Sequence, residues 1–446
     1  MKRCPHVRFV FWGLVVMQLW LAGPATAAEL FGIVSARSAG VLAAGAGEFL
    51  DAHPNHELTL RTTDQVARLS DSELTALWRQ ADVVLLAAVF GDTVPRLQRL
   101  LTRAPPPGDL IAFNGDRRLT RRSRWQGTAL FAGLDRSAID KLHAHPPAGR
   151  SQKTHVARLV SQHPGQAPWL RARAYWQGRG SRNAAGLFAW LLREHDPSID
   201  PPSPTPQPAI RYYHQGRVLG TGQLDLAGDR PAVAILDHDT GDRAGRRNLL
   251  DALCREITER GLQCVAALAR WGGASARALQ GLRQSVAPAP LAAVISLQDF
   301  VVGGGDAREQ AARALKALDV PVLKGIRLTG RTATEWRLSD SGLPRDSVHY
   351  RVAMPEVQGI GQPLVLAAAT PPRVHPRTGL EVSGTAPIEA QVAHMAERAH
   401  RWNVLQEKPA PEKRVAIVYY NHPPGRHNIG ADNLDVPASL WETLHR

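Results

Sequence analysis

The sequence predicts an α/β protein with two doubly wound parallel-sheet domains and the start of a third α/β unit. Strand-length apolar runs alternate with amphipathic helical segments, which is typical of parallel sheets covered by helices on both faces. A proline-rich segment interrupts this alternation near the middle of the chain. The 446 residues, of which 44% are hydrophobic and 21% charged, are enough for two or three globular domains.

The N-terminus has the parts of a secretory signal peptide. Three cationic residues precede an apolar run over residues 9–22, and Ala25-Thr26-Ala27 supplies the small residues that a signal peptidase reads. The apolar run is short for a membrane span, and an uncleaved N-terminal anchor is the alternative. We therefore expect a signal peptide over residues 1–27, cleavage near Ala27, and a periplasmic or otherwise exported protein.

The net charge favours an anionic partner. The formal charge is +14, and removal of the signal peptide leaves about +11, which suits a carboxylated small molecule or a membrane surface. Export argues against nucleic acid as that partner. The densest basic patch, Arg117–Trp125, is either a solvated loop or a contact with an anionic partner, including peripheral contact with phospholipids.

Two cysteines remain after the signal peptide. Cys254 lies on a predicted helix and Cys264 at the next strand. We expect two buried thiols, with a disulfide as the alternative that an oxidising compartment would allow. No CxxC pair is present, so neither a zinc ribbon nor a thioredoxin-type centre is indicated.

The first domain is predicted over residues 28–195. Ser70-Asp-Ser-Glu73 has capping-box spacing and begins one of its helices, and Leu187 and Leu191 lie on the apolar face of another. Its strands are expected at 30–34, 57–61, 82–90 and 109–113.

Residues 196–208 are predicted to be a semi-rigid linker, because six prolines in thirteen residues exclude a helix or a central strand. The second domain follows over residues 209–385. Its strands are expected at 210–214, 230–236, 263–267, 291–297 and 319–324, with an irregular strand pair over 363–383.

Two polar segments of the second domain follow predicted strands. Asp237-His238-Asp239 with Asp242 is either a metal cluster or, as we favour, a cap for the next helix. Gly303-Gly304-Gly305 lacks the Lys-Ser/Thr of a P-loop, so we interpret it as a turn.

The last segment, 386–446, combines a long helix with a strand, a polar loop and a helix start. The strand is predicted at Val415–Tyr420, and Pro437 suits the first turn of the final helix. The long helix is predicted from an apolar face made of Ile388, Val392, Met395, Ala399, Trp402 and Leu405.

These last residues resemble a known family. Val415-Ala-Ile-Val-Tyr-Tyr-Asn-His-Pro-Pro-Gly425, continued by Asn428-Ile-Gly-Ala431 and Leu434-Asp-Val-Pro-Ala-Ser-Leu440, is similar to the motif of the large tetrapyrrole-binding chelatase subunits. These are the CobN-type cobaltochelatase subunit and the magnesium chelatase H subunit. The resemblance covers most of the mature chain, is densest from Arg230 onward, and suggests the front part of a longer protein.

The resemblance implies a wall of a tetrapyrrole site. Glu356 joins the candidates through a Pro-Glu-x-Asp-Gly element in which Gln358 replaces the family's Asp. His422 and His427 are also the metal-binding candidates, because histidine is a common neutral metal ligand. No catalytic residue is assigned. The tetrapyrrole-binding candidates are Tyr420, Asn421, His422, His427, Asn428 and Glu356.

The resemblance also implies a metal chelatase (ligase) subunit that inserts metal into a tetrapyrrole, such as a cobalamin precursor, or handles it. Cobalt or magnesium and the tetrapyrrole would be substrates, no resident cofactor is indicated, and the AAA+ chelatase subunits would be partners. Those subunits need cytoplasmic ATP, so an exported homologue would lack them, and we expect this chain alone to be inactive. The alternative is a non-enzymatic periplasmic binding protein for metallo-tetrapyrroles or other anionic ligands.

Overall fold

The computed structural model of the chain describes residues 27–144, 150–239, 246–418 and 435–445. Two sheets dominate it, each with helices on both faces, and each built around a run of parallel strands. This arrangement confirms the predicted α/β class. No helix in the described ranges combines the length and the apolarity that crossing a membrane requires.

The first sheet has four parallel strands and a short antiparallel extension. Its strands are β1 Glu29–Val34, β2 Glu57–Thr62, β3 Val83–Ala87, β4 Asp109–Phe113, β5 Arg124–Trp125 and β6 Thr128–Ala129. Their order is β2-β1-β3-β4-β5-β6, so the chain reverses its direction of travel across the sheet between β1 and β3. The strand predicted to reach Phe90 ends at Ala87, because Ala88 adopts a left-handed conformation with φ 58°.

Helices cover both faces of this sheet. One face packs on α1, α8 and α9, and the other on α3 and α4. The predicted capping box is confirmed: the Glu73 amide donates to Ser70 Oγ at 3.2 Å, and the Ser70 amide donates to Glu73 Oε2 at 2.8 Å. The helices are α1 Ala39–Ala52, α2 Thr63–Arg68, α3 Asp71–Gln80, α4 Thr93–Arg103, α5 Arg117–Thr120, α6 Arg136–His143, α7 Arg150–Gln162, α8 Ala167–Gly178 and α9 Ser181–Leu192.

The proline-rich segment contains no helix or strand, but it is bound along the first unit. Asp196 Oδ2 lies 3.0 Å from His56 Nε2, and both side chains are buried. The Tyr175 hydroxyl donates to the Pro202 carbonyl at 2.8 Å, and Asn183 exchanges two hydrogen bonds with the Thr205 backbone. The segment is therefore a strap fixed to the first unit, which differs from the semi-rigid spacer that we predicted.

The second sheet repeats the winding of the first at larger size. Its strands, with an attached hairpin, are β7 Ile210–His214, β8 Arg217–Leu219, β9 Ala232–His238, β10 Gln263–Ala269, β11 Leu291–Ser296, β12 Val322–Thr332, β13 Gly361–Ala369, β14 Arg373–Val374, β15 Glu381–Val382 and β16 Thr385–Pro387. The order is β16-β13-β12-β11-β9-β10-β7-β8, with β10, β9, β11, β12 and β13 parallel. The direction of winding reverses between β9 and β11.

The long predicted helix is confirmed as α16. Val392, Met395 and Ala399 are fully buried in the core beside β11 and β13, whereas Leu405 at the end of the predicted face is 42% exposed. A π-helical turn, His349–Ala353, lies between two short helices. The helices are α10 Arg246–Glu259, α11 Gly273–Val286, α12 Arg308–Leu318, α13 Ala333–Leu338, α14 Arg345–Val348, α15 Met354–Val357, α16 Glu389–Glu407 and α17 Val436–His445.

The favoured interpretation of the cysteines is wrong, because Cys254 and Cys264 form a disulfide. Cys254 lies on α10 and Cys264 on the strand that directly follows it, β10. The helix folds back over this strand, which brings the two Cα atoms to 5.1 Å, within the range that a disulfide spans.

The predicted strand at Val415–Tyr420 is also not observed over its described part, residues 415–418. Val415 and Val418 are 83% and 93% exposed, and the segment pairs with no strand of either described sheet. An apolar run becomes a strand only where a neighbouring strand completes its hydrogen bonds. The helix predicted at Pro437 is present as α17.

The β14–β15 hairpin connects the two units. It extends from the second unit to β2 at the edge of the first sheet, where the Leu60 amide donates to the Thr378 carbonyl at 3.0 Å. Gln65 Nε2 donates to the Gly379 carbonyl at 2.8 Å. Leu380 is fully buried in the core of the first unit.

Leu380→Ala is expected to lower the free energy of unfolding by about 2–5 kcal/mol, because it leaves a cavity in a core remote in sequence. Chemical denaturation followed by circular dichroism measures the change. The matched control is Val374→Ala on the same hairpin, where the side chain is 61% exposed and the change should stay within about 0.5 kcal/mol. Equal effects of the two substitutions would show that the hairpin does not complete the first core.

Candidate functional site

The predicted site residues fall into two groups. Tyr420, Asn421, His422, His427 and Asn428 lie outside the described residues, so their roles stay predictions.

Glu356 is described, and it lies exposed on the short helix α15. Its backbone carbonyl accepts a hydrogen bond from the Gly359 amide at 2.8 Å. Gln358, at the position where the family motif has Asp, exchanges two hydrogen bonds with the backbone of Val302, at 2.9 and 3.1 Å. The amide side chain thus anchors α15 to the loop after β11, a task that needs both a donor and an acceptor and that a carboxylate could not fulfil.

The carboxyl ends of the parallel strands position the polar groups of the second unit. β9, β11 and β12 end side by side next to the reversal of winding, which is where ligands bind in open α/β sheets. The loops after β9 and β11 carry acidic side chains, and basic side chains reach them from β7 and β12. This edge holds a dense cluster of buried charges.

The acids at the end of β9 form ion pairs. Arg327 donates to both carboxylate oxygens of Asp237, at 2.8 and 2.7 Å, and both side chains are buried. Arg211 makes a similar two-point contact with Asp239, at 3.0 and 2.8 Å. Two-point contacts fix the geometry of both partners. Buried pairs of this kind are costly to break from one side, since the remaining charge stays desolvated.

The metal-cluster alternative gains no support here. Among the described residues, no group of three or more His, Cys, Asp and Glu side chains is placed to hold a metal ion. His238 Nε2 accepts a hydrogen bond from the Asp299 amide at 3.2 Å, and Asp237 and Asp239 face guanidinium groups. Asp242 lies outside the described residues.

Lys324 is a buried amine below the same edge. Its side chain is 1% exposed and donates to the Gln298 carbonyl. Burial lowers the pKa of Lys324 to about 8, an effect that the nearby carboxylate of Asp299 partly offsets and that the charge of Arg351 reinforces. Burial thus makes the neutral amine accessible at a lower pH than for an ordinary lysine.

Three aromatic rings lie beside these charges and form what we call the aromatic row: Trp271, Phe300 and Tyr350. The ring centroids are 6.0 Å apart for Trp271 and Phe300, and 5.2 Å apart for Phe300 and Tyr350. Trp271 is 51% exposed, although its indole N–H donates to the Val301 carbonyl at 3.0 Å. The row therefore offers accessible apolar rings in a fixed position.

Gly304 makes the position of Trp271 possible. A Cβ atom there would lie 2.2 Å from Trp271 Cη2, closer than any real contact. The glycine-rich turn predicted from the sequence thus provides room for an aromatic ring. Sequence analysis missed the row, because its members are separated by 29 and 50 positions. The available signal was that Trp271 and Phe300 each follow the carboxyl end of a parallel strand.

Comparison with known proteins relates this chain to a protein family. A family model described as CobN/Magnesium Chelatase matches residues 173–446, more than half of the chain and all of the aromatic row. The chain belongs to the CobN/magnesium chelatase family. The resemblance stated from the sequence motif is thereby confirmed.

Relatives in the family are much longer than this chain. It is 26% identical to the H subunit of magnesium chelatase from Rhodobacter capsulatus, in an alignment that covers 89% of this chain and 36% of that protein. It is 28% identical to the aerobic cobaltochelatase protein CobN of Pseudomonas aeruginosa, over 63% of this chain and 23% of that protein. It is 36% identical to the chloroplastic magnesium-chelatase protein ChlH of Oryza sativa subsp. indica, over 34% and 11%. The chain thus spans about a third of their length or less.

A solved structure has a related fold. The catalytic subunit of cobaltochelatase from Mycobacterium tuberculosis matches with a TM-score of 0.51 at 20% sequence identity, over 87% of this chain and 28% of that one. The two-sheet architecture described here is therefore found in a solved cobaltochelatase structure.

Lys324 predicts a pH dependence of stability. Its folded-state pKa of about 8 lies below the ordinary value of 10.5, so between these values the unfolded chain binds a proton that the folded chain does not. Stability should therefore rise with pH across this window. Relative to Lys324→Met, the wild type should gain on the order of 2 kcal/mol between about pH 7.5 and about pH 10.

Urea denaturation at both pH values measures this double difference. Lys316→Met, which removes an exposed lysine from α12, is the matched control and should show no such gain. If Lys324→Met and the wild type keep a constant difference across the window, the buried amine titrates as an ordinary lysine.

Proposed function

We propose that this chain forms part of a tetrapyrrole-binding chelatase subunit of the CobN type, and that it handles metallo-tetrapyrroles outside the cytoplasm. The observation that carries the proposal is the family match over residues 173–446, which includes the polar loop from Tyr420 to Asn428. The relatives are named as magnesium-chelatase and cobaltochelatase subunits. Capture, handling or metal removal is the proposed role, with cobalt or magnesium as the metal.

The chemistry of the loop suits this role. His422 and His427 supply imidazole groups that can bind a metal or move a proton near neutral pH. Asn421 and Asn428 supply neutral hydrogen-bonding groups, and Tyr420 an aromatic ring. A metal held by a tetrapyrrole needs a neutral ligand or base beside it, and the loop offers two.

The aromatic row supports binding of a flat ring. Trp271, Phe300 and Tyr350 lie at the carboxyl edge of the second sheet, and the Arg351 guanidinium lies 5.6 Å from the Tyr350 ring. Aromatic faces bind flat conjugated ligands by stacking. Glu356 lies exposed on α15, close in sequence to the Gln358 side chain that holds this edge together.

Export would exclude partners that depend on cytoplasmic ATP. The proposed signal peptide would place the chain away from cytoplasmic ATP, and hence away from AAA+ chelatase motors. Handling or metal removal needs no such motor, whereas ATP-driven insertion does. Peripheral contact with phospholipids remains compatible with the basic net charge of +14.

Processing of the N-terminus tests the location. Expression in a Gram-negative host should give a periplasmic protein whose first residue is Ala28, as read by intact-mass spectrometry of the fractionated cells. Ala27→Arg should block cleavage, since signal peptidase needs a small residue at this position. The control is Gln162→Arg at the exposed end of α7, which adds the same charge to the mature chain and should leave processing unchanged. An unprocessed cytoplasmic wild type would contradict export.

Ligand titration tests the binding role. Haem and metal-free protoporphyrin should each bind the purified chain and shift their absorbance bands. Trp271→Ala should weaken binding at least about fivefold through lost stacking, and His422→Ala or His427→Ala about three- to tenfold through lost polar contacts.

Exposed residues of the same types provide controls. Trp441→Ala on α17 and His394→Ala on α16 should leave the affinity unchanged. Absence of binding, or equal weakening by test and control variants, would overturn the proposed role. Release of metal from a bound metallo-tetrapyrrole would identify an enzyme, and binding without release would favour the non-enzymatic binding protein.

A further inference from the structure

The carboxyl edge of the first sheet opens into a cavity of about 730 Å³. Its walls come from the residues that follow β1, β3 and β4 and from α1, α8 and α9. It therefore lies at the reversal of winding between β1 and β3, the position at which open α/β sheets bind ligands. We call it the first-sheet cavity.

The lining of the first-sheet cavity is strongly basic. Four arginines line it, together with His143, and no carboxylate is among the described lining residues. The lining arginines are Arg37, Arg117, Arg173 and Arg179. A cavity with several cations and no acid attracts and holds anions.

Arg173 shows how the charge is held in place. Its side chain is buried, and its guanidinium donates to the carbonyls of Leu142, at 2.9 Å, and of His143, at 2.5 Å. These partners are neutral. Burial, reinforced by the charge of Arg117, lowers the pKa of Arg173 to about 9, and a bound anion would relieve this unfavourable environment. Arg117 is paired with Asp140, at 2.8 Å, which lies outside the lining.

Two helices begin at the cavity wall. α1 starts after Ser38 and α9 after Gly180, both lining residues, and neither position provides a side-chain cap to the first turn. The positive ends of their dipoles add to the attraction of the arginines.

The remaining wall is apolar and flat. Trp176 and Tyr175 from α8 line the cavity together with Val41 and Leu42 of α1. Trp176 is fixed against Phe113, with ring centroids 5.5 Å apart. Such a wall fits a ring or another flat apolar body beside the anionic groups.

The backbone around the cavity is also unusual. Ala88, Asn114 and Arg179 all line it, and all three adopt left-handed conformations, with φ of 58°, 51° and 63°. Such conformations are costly for residues with a Cβ atom and concentrate at ligand sites. Each of the three turns the chain directly after a strand or helix that borders the cavity.

We propose that the first-sheet cavity binds a small anionic ligand in which clustered carboxylate or phosphate groups are joined to a flat apolar body. The four arginines and the two helix starts bind the anionic groups, and the wall of Trp176 and Tyr175 packs against the apolar body. The strands of the first sheet all lie before residue 173, where the family match begins. The proposed binding does not depend on the function proposed above.

Two sources supply this chemistry. Carboxylates occur on the rim of a tetrapyrrole such as uroporphyrin, and phosphates occur on a nucleotide such as ADP. Isothermal titration of the full chain with each probe distinguishes them, and inorganic pyrophosphate tests the anionic groups without a ring. The carboxylate class predicts binding of uroporphyrin only, and the phosphate class predicts binding of ADP and, more weakly, of pyrophosphate.

Three variants locate the binding. Arg37→Glu reverses an exposed charge at the mouth and should weaken the binding probe about tenfold or more. Val41 is half-buried on α1, so Val41→Trp places a large ring in the cavity and should abolish binding of the ring-bearing probe. Arg103 is exposed at the end of α4, outside the cavity. Arg103→Glu makes the same charge change there and should leave the affinity unchanged.

Thermal unfolding with and without the ring-bearing probe that binds, uroporphyrin or ADP, gives a second readout, since a ligand of the folded state raises Tm. The rise should occur in wild type and Arg103→Glu, and be absent in Val41→Trp. No binding of any probe, or equal binding by all variants, would overturn the proposal. Trp271→Ala should leave binding at the first-sheet cavity unchanged. Failure of this proposal and failure of tetrapyrrole handling at the second sheet are therefore separate outcomes.

Discussion

Both sheets of this protein must bury two apolar faces, and this constraint determines where its sites lie. Helices cover both faces only if the chain winds outward in opposite directions from the middle of each sheet. The loops after the two central strands then diverge, at β1 and β3 in one sheet and at β9 and β11 in the other. The first-sheet cavity and the aromatic row both lie at such a divergence, although no residue is shared between them.

The two edges solve the problem of buried charge in opposite ways. At the second sheet the buried acids at the end of β9 face guanidinium groups, as Asp237 faces Arg327, so these negative charges are compensated by positive ones. At the first sheet the buried Arg173 donates to neutral carbonyls. A network of paired charges favours a rigid surface on which rings can lie. Excess positive charge favours a site in which a bound anion supplies the missing negative charge.

Local signals in the sequence predicted local structure well. The Ser70–Glu73 spacing, the 3.6-residue repeat of α16 and the apolar strands of the two sheets are found where expected, because each depends on neighbours along the chain. The failures depend on tertiary contacts. The Val415 run has no strand beside it in the described sheets, and the Cys254–Cys264 bond needs α10 to fold back over β10. The family motif was recognised, but the aromatic row and the arginines of the cavity come from separate segments that only folding brings together.

The β14–β15 hairpin has a consequence for how the chain is made. The first unit looks self-contained in the sequence, yet its edge is completed by residues 317 positions later, where Thr378 meets Arg61. During synthesis, β2 therefore lacks this neighbour until the last fifth of the described chain emerges. A slow-translating or stalled chain would expose an unpaired strand edge, which is a template for aggregation. The length of this interval is set by the order of the elements along the chain, which places the hairpin far behind the edge that it covers.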